Sequence, residues 1–327
     1  MKRIAIGISL VFAVLILASF IVGQSLTSAE TSQAAGNGAP PLSNPLKVAL
    51  LKWYPANQST QFKVGNSPFA LAFDGANVWV ANEGDNTVSK IRANDGATLG
   101  TFPVGSQPDA LAYDGANIWV ANGISNTLSK VRAIDGKILG TFAVDNQPAS
   151  LAFDGEFIWV GYTGTTTLSK VLPRNGKILG DFPANCPCSG VAFDGTYIWV
   201  TNPGNTVTRL KRAGANEGVF TVGYQPVGIA FDGSSVWVAS STSGEVTKLR
   251  ASDGGNLGSF PVNGRAQYVV FDGANVWVST GSIVNELRPS DGTILGIFYT
   301  RGGPEGLAFD GADIWVANYD TGTVSKF

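Results

Sequence analysis

The stretch FDGANVWVAN at residues 73–82 decides the fold, because close variants of it begin at residues 113, 153, 193, 231, 271 and 309. Successive tryptophans in these stretches are spaced by 40, 40, 40, 38, 40 and 38 residues. Each repeat contains four short runs rich in aromatic and β-branched residues, and Asp-Gly pairs stand where hairpin turns are expected. Four strands in about 40 residues are typical of one propeller blade. The sequence therefore predicts an all-β fold, a seven-bladed β-propeller of four-stranded blades.

The two ends of the repeat region predict how the propeller closes. The last repeat stops after its third strand, TVSKF at residues 323–327, and lacks a fourth. The missing strand occurs ahead of the first repeat, where QFKVGNSP at residues 61–68 aligns with TFPVGSQP at residues 101–108. We therefore expect the N-terminal strand to complete the last blade and to join the two ends of the ring.

Residues 1–29 form a separate N-terminal segment. Two basic residues precede an apolar run at residues 4–23, which is about as long as a membrane-spanning helix. The segment is interpreted either as a cleaved export signal or as an uncleaved membrane anchor. In either case the rest of the chain is expected to be exported to the periplasm, the cell surface or the medium. Residues 30–46, rich in small and turn-forming residues, are expected to be a flexible linker. Residues 47–327 are expected to be the propeller.

The composition excludes several classes of function. The chain has no histidine, which removes His-based acid–base chemistry and every Ser-His or Cys-His nucleophile pair. Its formal net charge is −2, and the body without the basic N-terminus is more negative still. A mildly acidic body argues against nucleic-acid binding, which needs a concentrated basic face. We expect a monomer with no cofactor and no metal site, whose only membrane contact is an N-terminal anchor.

Residues that break the repeat mark the candidate binding site. A single site near the propeller axis differs from blade to blade, so residues present in every blade are structural by default. The loop into each first strand and the loop after each second strand open on one face, whose mouth is the expected site. The irregular residues of the first loop set are Asp109, Tyr224, Arg265, Gln267, Tyr268, Arg301 and Glu305. They predict a polar mouth for a small polar ligand or a peptide loop, or a mouth lined only by solvated side chains.

Tyr268 is the largest departure among these residues. It stands where the other blades have Ala, Ser or Gly, so we expect it to project into the mouth or to block it.

Cys186 and Cys188 are the only cysteines in the chain. Oxidation is favoured in an exported protein, so a local disulfide that rigidifies the loop is one interpretation. A free pair is a second, and a redox or metal role is a third. Zinc would need two further soft ligands, which a chain without histidine or other cysteines does not offer.

Two columns of charged residues repeat with the blades. The aspartates of the Asp-Gly pairs are expected to bond their own turns rather than to bind calcium. A basic column on the third strands is expected to form solvated surface pairs with acidic turn residues, contributing about 0–1 kcal/mol each. Its members are Lys90, Lys130, Lys170, Arg209, Lys248 and Lys326.

The repeat resembles a known family. The stretch WVANEGDNTVSKIRANDGATLGTFPVGSQPDALAYDG at residues 79–115 is similar to the YVTN-type repeat of bacterial surface and periplasmic propellers, which are relatives of NHL-type repeats. More distantly, it is similar to the seven-bladed virginiamycin B lyase group, and the resemblance covers residues 59–327. The resemblance implies the fold and an exported location. It implies no single function, since such propellers include interaction modules, ligand binders and some enzymes. The lyase group uses a catalytic histidine, and this chain has none to receive that role.

Three functions follow as hypotheses. The first is an exported, non-enzymatic propeller that binds a protein, a peptide or a polymer such as a polysaccharide through its loop face, as variation confined to loops suggests. The second is a metal-dependent hydrolase or lyase of the lactonase or streptogramin-lyase type, using Asp109 and Glu305. The third is a structural cell-surface repeat protein without a discrete ligand. We favour the first.

Overall fold

The computed structural model describes residues 60–185 and 187–327, and within these ranges the chain is all β, with 28 strands. Several predictions fall outside the described residues. They concern the N-terminal segment at residues 1–29, the linker at residues 30–46, the first part of the predicted propeller at residues 47–59, and Cys186. In the described part of the chain no helix is long and apolar enough to cross a membrane.

The strands form seven four-stranded antiparallel sheets, which we number as blades. Blades 1 to 4 contain β2 (Pro68–Phe73), β3 (Asn77–Asn82), β4 (Thr87–Arg92) and β5 (Thr98–Pro103); β6 (Pro108–Tyr113), β7 (Asn117–Asn122), β8 (Thr127–Arg132) and β9 (Ile138–Ala143); β10 (Pro148–Phe153), β11 (Ile158–Tyr162), β12 (Thr167–Leu172) and β13 (Lys177–Pro183); and β14 (Val191–Phe193), β15 (Tyr197–Asn202), β16 (Thr206–Lys211) and β17 (Asn216–Thr221). Blades 5 to 7 contain β18 (Pro226–Phe231), β19 (Ser235–Ser240), β20 (Glu245–Arg250) and β21 (Asn256–Pro261); β22 (Val269–Phe271), β23 (Val276–Ser279), β24 (Ile283–Leu287) and β25 (Ile294–Tyr299); and β26 (Pro304–Phe309), β27 (Ile314–Asn318), β28 (Thr323–Lys326) and β1 (Thr60–Lys63). The predicted fold class is confirmed.

Blade 7 closes the ring as the sequence predicts. Its strand order is β26, β27, β28 and β1, and Phe62 of β1 pairs in register with Val324 of β28. The ring of Phe62 lies 5.4 Å from that of Trp315 in the same blade. The first strand of the described residues, β1, is therefore the outermost of the four strands of the last blade.

The repeated tryptophan is held by the repeated Asp-Gly turn. In blade 2, Trp119 is fully buried, and its indole N–H donates a hydrogen bond of 2.8 Å to Oδ2 of Asp114. Oδ1 of Asp114 accepts from the main-chain N–H groups of Ala116 and Asn117, as expected of a turn aspartate. The same indole–carboxylate bond recurs in every blade. Each Asp-Gly pair thus fixes both its own turn and the core tryptophan.

The basic column corrects the expectation of solvated surface pairs. Lys90 is only 6% exposed, and its Nζ donates to the main-chain oxygens of Ala133 and Ile134 in the next blade, at 2.6 and 3.1 Å. The other five members also donate to a main-chain oxygen of the next blade. The expectation is wrong because a long side chain can bury its stem while its charged end reaches a carbonyl. We call these six side chains the inter-blade cations.

The first strands line the propeller axis, and two of them are short. In blades 4 and 6, Cys188 and Ala266 replace the proline that begins the first strand of the other blades, and the strand begins only at Val191 and Val269. In blade 6, Gln267 and Tyr268 precede the paired strand, but the N–H of Gln267 donates to the oxygen of Ser279 and the oxygen of Tyr268 accepts from the N–H of Ser279.

Candidate ligand-binding mouth

Two adjoining cavities lie at the centre of the ring. The first, of about 210 Å³, is lined by residues from the first strands of the blades. The second, of about 280 Å³, lies at the loop face and is lined by both loop sets. Asp109 and Tyr268 line both cavities, and Glu83, Gln107 and Phe69 line the second. The cavities therefore meet at a mouth of mixed polar and aromatic character.

Tyr268 lies in the wall of this mouth, as part of an aromatic group. Its ring is perpendicular to that of Phe69 at a centroid distance of 5.7 Å, and Phe69 lies 6.3 Å from Tyr319. The space beside it is tight, because a Cβ atom on Gly228 would lie 2.8 Å from Cα of Tyr268. Among the equivalent residues of the other blades, only Ala, Ser and Gly occur, so blade 6 alone narrows the axis with a phenol.

Asp109 and Glu83 form a carboxyl pair between blades 2 and 1. Burial, followed by the charge of Glu83 and hydrogen bonding with it, raises the pKa of Asp109 to about 8. Burial also raises the pKa of Glu83, against hydrogen bonding from Asp109 and Tyr319. Two carboxyl groups can hydrogen-bond only when one of them holds a proton. With a pKa of about 8, Asp109 therefore holds a proton at neutral pH and can share it with Glu83.

Glu305 in blade 7 is the third carboxyl group of the mouth. Burial, followed by the charge of Glu83, raises its pKa to about 7, while hydrogen bonding from Gln267 opposes the rise. Burial, followed by the charges of Glu305, Glu83 and Asp109, raises the pKa of Tyr268 well above its usual value. The charge of Glu83 thus acts on both other carboxyl groups, and the charges of all three act on Tyr268.

Two buried oxygens of the mouth have no hydrogen-bond donor among the described residues. They are Oδ1 of Asp109 and Oε1 of Gln267. The Asp109 carboxyl group hydrogen-bonds with Glu83, but its Oδ1 still has no partner within the described part of the chain. An acceptor buried without a partner costs free energy, so a donor brought by a ligand would be stabilised there.

Glu83 is the residue that sequence reasoning missed. It follows the WVAN sequence of blade 1, where the other blades have Gly123, Thr163, Pro203, Ser241, Gly281 and Tyr319. It is the only charged residue among the seven equivalent residues, and this irregularity in the sequence could have identified it. The candidate residues all belong to the other loop set, although both sets open on the same face.

Gly123 makes room for the carboxyl pair. A Cβ atom at this residue would overlap Oδ2 of Asp109. Glycine at this point therefore lets the second loop of blade 2 pass directly beside the Asp109 carboxyl group.

The remaining predicted mouth residues lie apart from this group. Tyr224, Arg265 and Arg301 are all exposed, and none of them lines either of the two central cavities. Of the predicted residues, Asp109 and Tyr268 line the cavities, and Glu305 and Gln267 line neither but interact with this group by charge and hydrogen bonding. The two arginines and Tyr224 lie on the outer loop surface.

Cys188 is fully buried and disulfide-bonded. The other cysteine of the chain, Cys186, lies outside the described residues, so the pairing of the two stays a prediction. The main-chain oxygen of Cys188 accepts a hydrogen bond of 3.2 Å from Ser150 in blade 3. The loop into blade 4 is thereby tied to the wall of the first cavity.

No group of three or more Asp, Glu or Cys side chains within the described ranges is arranged to hold a metal ion. The three mouth carboxyl groups interact through hydrogen bonds and charge rather than as a chelating set.

The fold is similar to that of several solved propellers. Virginiamycin B lyase from Staphylococcus aureus is 19% identical, with a TM-score of 0.70 over 82% of this chain and 98% of that one. A streptogramin B lyase is 16% identical, with a TM-score of 0.70 over 82% and 96%. Hydrazine synthase from Kuenenia stuttgartiensis is 17% identical, with a TM-score of 0.71 over 81% and 96%. The distant similarity to the virginiamycin B lyase group is confirmed as a likeness of fold.

No protein-family model matches the sequence, and no curated protein matches it.

Proposed function

We propose that this protein is an exported, non-enzymatic binding propeller that recognises a protein or peptide through its loop face, with a basic side chain of the ligand entering the mouth. One observation carries the proposal. Glu83, Asp109 and Glu305 lie together at the mouth, and none of the ion pairs within the described residues includes them.

A basic side chain would supply a positive charge for the mouth carboxyl groups and hydrogen-bond donors for the buried oxygens that have none among the described residues. An ammonium or guanidinium group can replace the proton shared by Glu83 and Asp109, because a nearby positive charge favours the ionised form of a carboxyl group. Its N–H groups can donate to the buried oxygens of Asp109 and Gln267. The rings of Phe69 and Tyr268 add attraction for a cation placed over an aromatic face.

Selection from a random-peptide phage library on the full-length protein at neutral pH tests the proposal. We expect the selected peptides to be enriched in Lys or Arg, and a synthetic copy to bind Glu83→Gln at least about tenfold more weakly, a loss of 1.4 kcal/mol or more. Asp253→Asn removes an exposed carboxylate on the opposite face and serves as the matched control.

Two results would overturn the proposal. One is a selection that yields no enrichment in basic residues. The other is a basic peptide whose affinity is the same for the protein, for Glu83→Gln and for Asp253→Asn, since such a peptide binds somewhere other than the mouth.

A lyase is the second candidate, favoured by the pKa values of Asp109 and Glu305. A carboxyl group with a pKa of about 8 or 7 in a cavity suits proton transfer at neutral pH without a histidine. Two of the similar propellers are streptogramin B lyases. Incubation with a streptogramin B antibiotic tests this function by chromatography, and loss of the intact antibiotic that Asp109→Asn abolishes would favour the lyase over the binding propeller.

The exported location is part of the proposal. The N-terminal sequence supports it, and a disulfide at Cys188 favours an oxidising compartment. Fractionation of producing cells, followed by detection with an antibody against the propeller, tests it. Recovery of the protein in the cytoplasmic fraction alone would contradict export.

A further inference from the structure

Six blades carry a cation at the same point, and blade 6 carries a carboxyl group there. In blade 5, Nζ of Lys248 lies 5.0 Å from the ring centroid of Trp237 and 3.9 Å from Oδ2 of Asp232. Lys248 is the cross-strand partner of Trp237, and in blade 6 the partner of Trp277 is Glu286. Blade 6 keeps the aromatic ring and the turn aspartate, but the third residue, Glu286, carries a carboxyl group where the other blades carry a positive charge.

The reversal coincides with a difference at the junction of blades 6 and 7. Each inter-blade cation donates to a main-chain oxygen in the turn between the third and fourth strands of the next blade, as Lys248 does to Pro289. Blade 7 takes its fourth strand from β1, so its third and fourth strands are not joined by such a turn. Accordingly, the ring of Phe298 packs on Phe327 at 5.3 Å, whereas Phe260 of blade 5 packs over the turn residue Gly292.

Two carboxyl groups interact through their charges at this junction. Oδ2 of Asp272 accepts from the indole N–H of Trp277 at 2.6 Å, and Oε1 of Glu286 accepts from Nδ2 of Asn275 at 2.7 Å. Burial, followed by the charge of Asp272, raises the pKa of Glu286. Both residues are partly exposed, and neither belongs to an ion pair within the described part of the chain.

We propose that Trp277, Asp272 and Glu286 form a binding site for a primary alkylammonium group supplied from outside the chain. The six other blades are the internal comparison, because the equivalent tryptophan in each lies within about 5.5 Å of a bound Lys or Arg head group. In blade 6, solvent access to Glu286 allows the cation to come from a ligand, and the second carboxylate strengthens its attraction.

The chemistry of the site favours an ammonium group over a metal ion. Calcium takes six to eight oxygen ligands, and magnesium takes an octahedral set. This site offers two carboxyl groups beside an indole ring, which attracts organic cations. It lies on the face of the Asp-Gly turns, opposite the mouth, and does not rest on the proposed function.

Indole NMR of the full-length protein tests the site. The probe is n-butylammonium chloride, which copies the end of a lysine side chain, titrated at constant ionic strength into protein labelled with ¹⁵N in its tryptophans. We expect a saturable shift of the Trp277 indole resonance, which Trp277→Phe assigns, while the indole resonances of the other six blades stay in place. Glu286→Gln, which keeps the hydrogen bond to Asn275, should weaken binding at least fivefold.

Three controls keep the test decisive. Neutral n-butanol should cause no saturable shift. Glu245→Gln on the third strand of blade 5 should bind like the unmodified protein, and Glu286→Lys, which supplies the ammonium within the chain, should abolish the response. The unchanged indole resonances report that each variant is folded. The proposal is overturned by the absence of a saturable shift, by equal binding to Glu286→Gln, or by calcium chloride shifting the Trp277 resonance more strongly than n-butylammonium.

Discussion

Nζ of Lys90 in blade 1 donates a hydrogen bond of 2.6 Å to the main-chain oxygen of Ala133 in blade 2. The same ammonium group lies 5.4 Å from the ring centroid of Trp79, so it contacts the core of its own blade and the backbone of the next. Neighbouring blades are separate sheets with no strand pairing between them. The inter-blade cations are therefore polar links between separate sheets, in addition to side-chain packing and to other contacts such as that of Ser150 with Cys188.

Removal of one inter-blade cation should destabilise the ring. Lys90→Met keeps most of the stem but leaves a buried carbonyl without its donor, which typically costs about 1–3 kcal/mol of unfolding free energy. Denaturant unfolding measures the loss. The control Lys63→Met removes an exposed lysine from the edge strand β1 and should change the unfolding free energy by less than about 0.5 kcal/mol. Equal effects of the two substitutions would show that the inter-blade bond does not stabilise the fold.

The indole–carboxylate bond should couple the core tryptophan to its turn. Trp119→Phe removes the N–H and Asp114→Asn removes the charge, and the double variant completes a cycle. Residues in direct hydrogen-bond contact show coupling energies of about 0.5–3 kcal/mol. We therefore expect the double variant to lose less unfolding free energy than the two single variants together. Strict additivity in denaturant unfolding would contradict a bond between the two side chains.

Glycine at residue 123 should be required for the mouth. In Gly123→Ala the new methyl group overlaps Oδ2 of Asp109, so the carboxyl group must move or the loop must shift, at about 1–3 kcal/mol. Gly281→Ala is a matched control in the same column of the repeat, since a Cβ atom there meets no other atom within 4 Å. Calorimetry should show a lower Tm for Gly123→Ala alone. Equal Tm values would mean that Asp109 does not occupy this space.

The fold could be predicted almost completely, because the same sequence pattern recurs in each of the seven blades. The Trp-Val pairs, the Asp-Gly turns and the aligned Phe62 strand gave the blade count, the strand order and the closure. Position within a repeat predicts backbone structure well when seven copies agree. It predicts less about long side chains, whose charged ends reach neighbouring blades, and this is why Lys90 was expected in solvent and is buried.

The site could be predicted only in part, because it depends on which loops meet across blades. Tyr268 and Asp109 stood out by breaking their own column, whereas Glu83 belongs to a different loop set. The interaction of Glu83 with Asp109 joins two blades, so no single repeat contains it. Arg265 and Arg301 broke the same pattern as Asp109, but they are exposed. A residue that differs from its equivalents in the other blades is therefore a candidate site residue, but the difference does not show whether its side chain points into the mouth or into solvent.

The stability of the protein should fall as pH rises from about 5.5 to about 8.5. Asp109 and Glu305 have pKa values of about 8 and about 7 when folded, above the unfolded values of about 3.9 and 4.3. The folded state therefore holds more protons than the unfolded state in this range, and the unfolding free energy decreases with pH. Few other groups titrate there, since the chain has no histidine. Because the groups are partly exposed and interact, we expect a total loss of about 1–2 kcal/mol.

Asp109→Asn separates this effect from other causes. Asparagine has the shape of the protonated carboxyl group and cannot ionise, so the variant should match the protein near pH 5.5 and exceed its stability near pH 8.5. Asp253→Asn, whose carboxyl group is exposed and has a lowered pKa, should leave the slope unchanged. Denaturant unfolding at a series of pH values gives the three slopes. An unfolding free energy that stays constant or rises over this range would mean that Asp109 and Glu305 are ionised in the folded protein. The inference that Asp109 shares a proton with Glu83 would then be wrong.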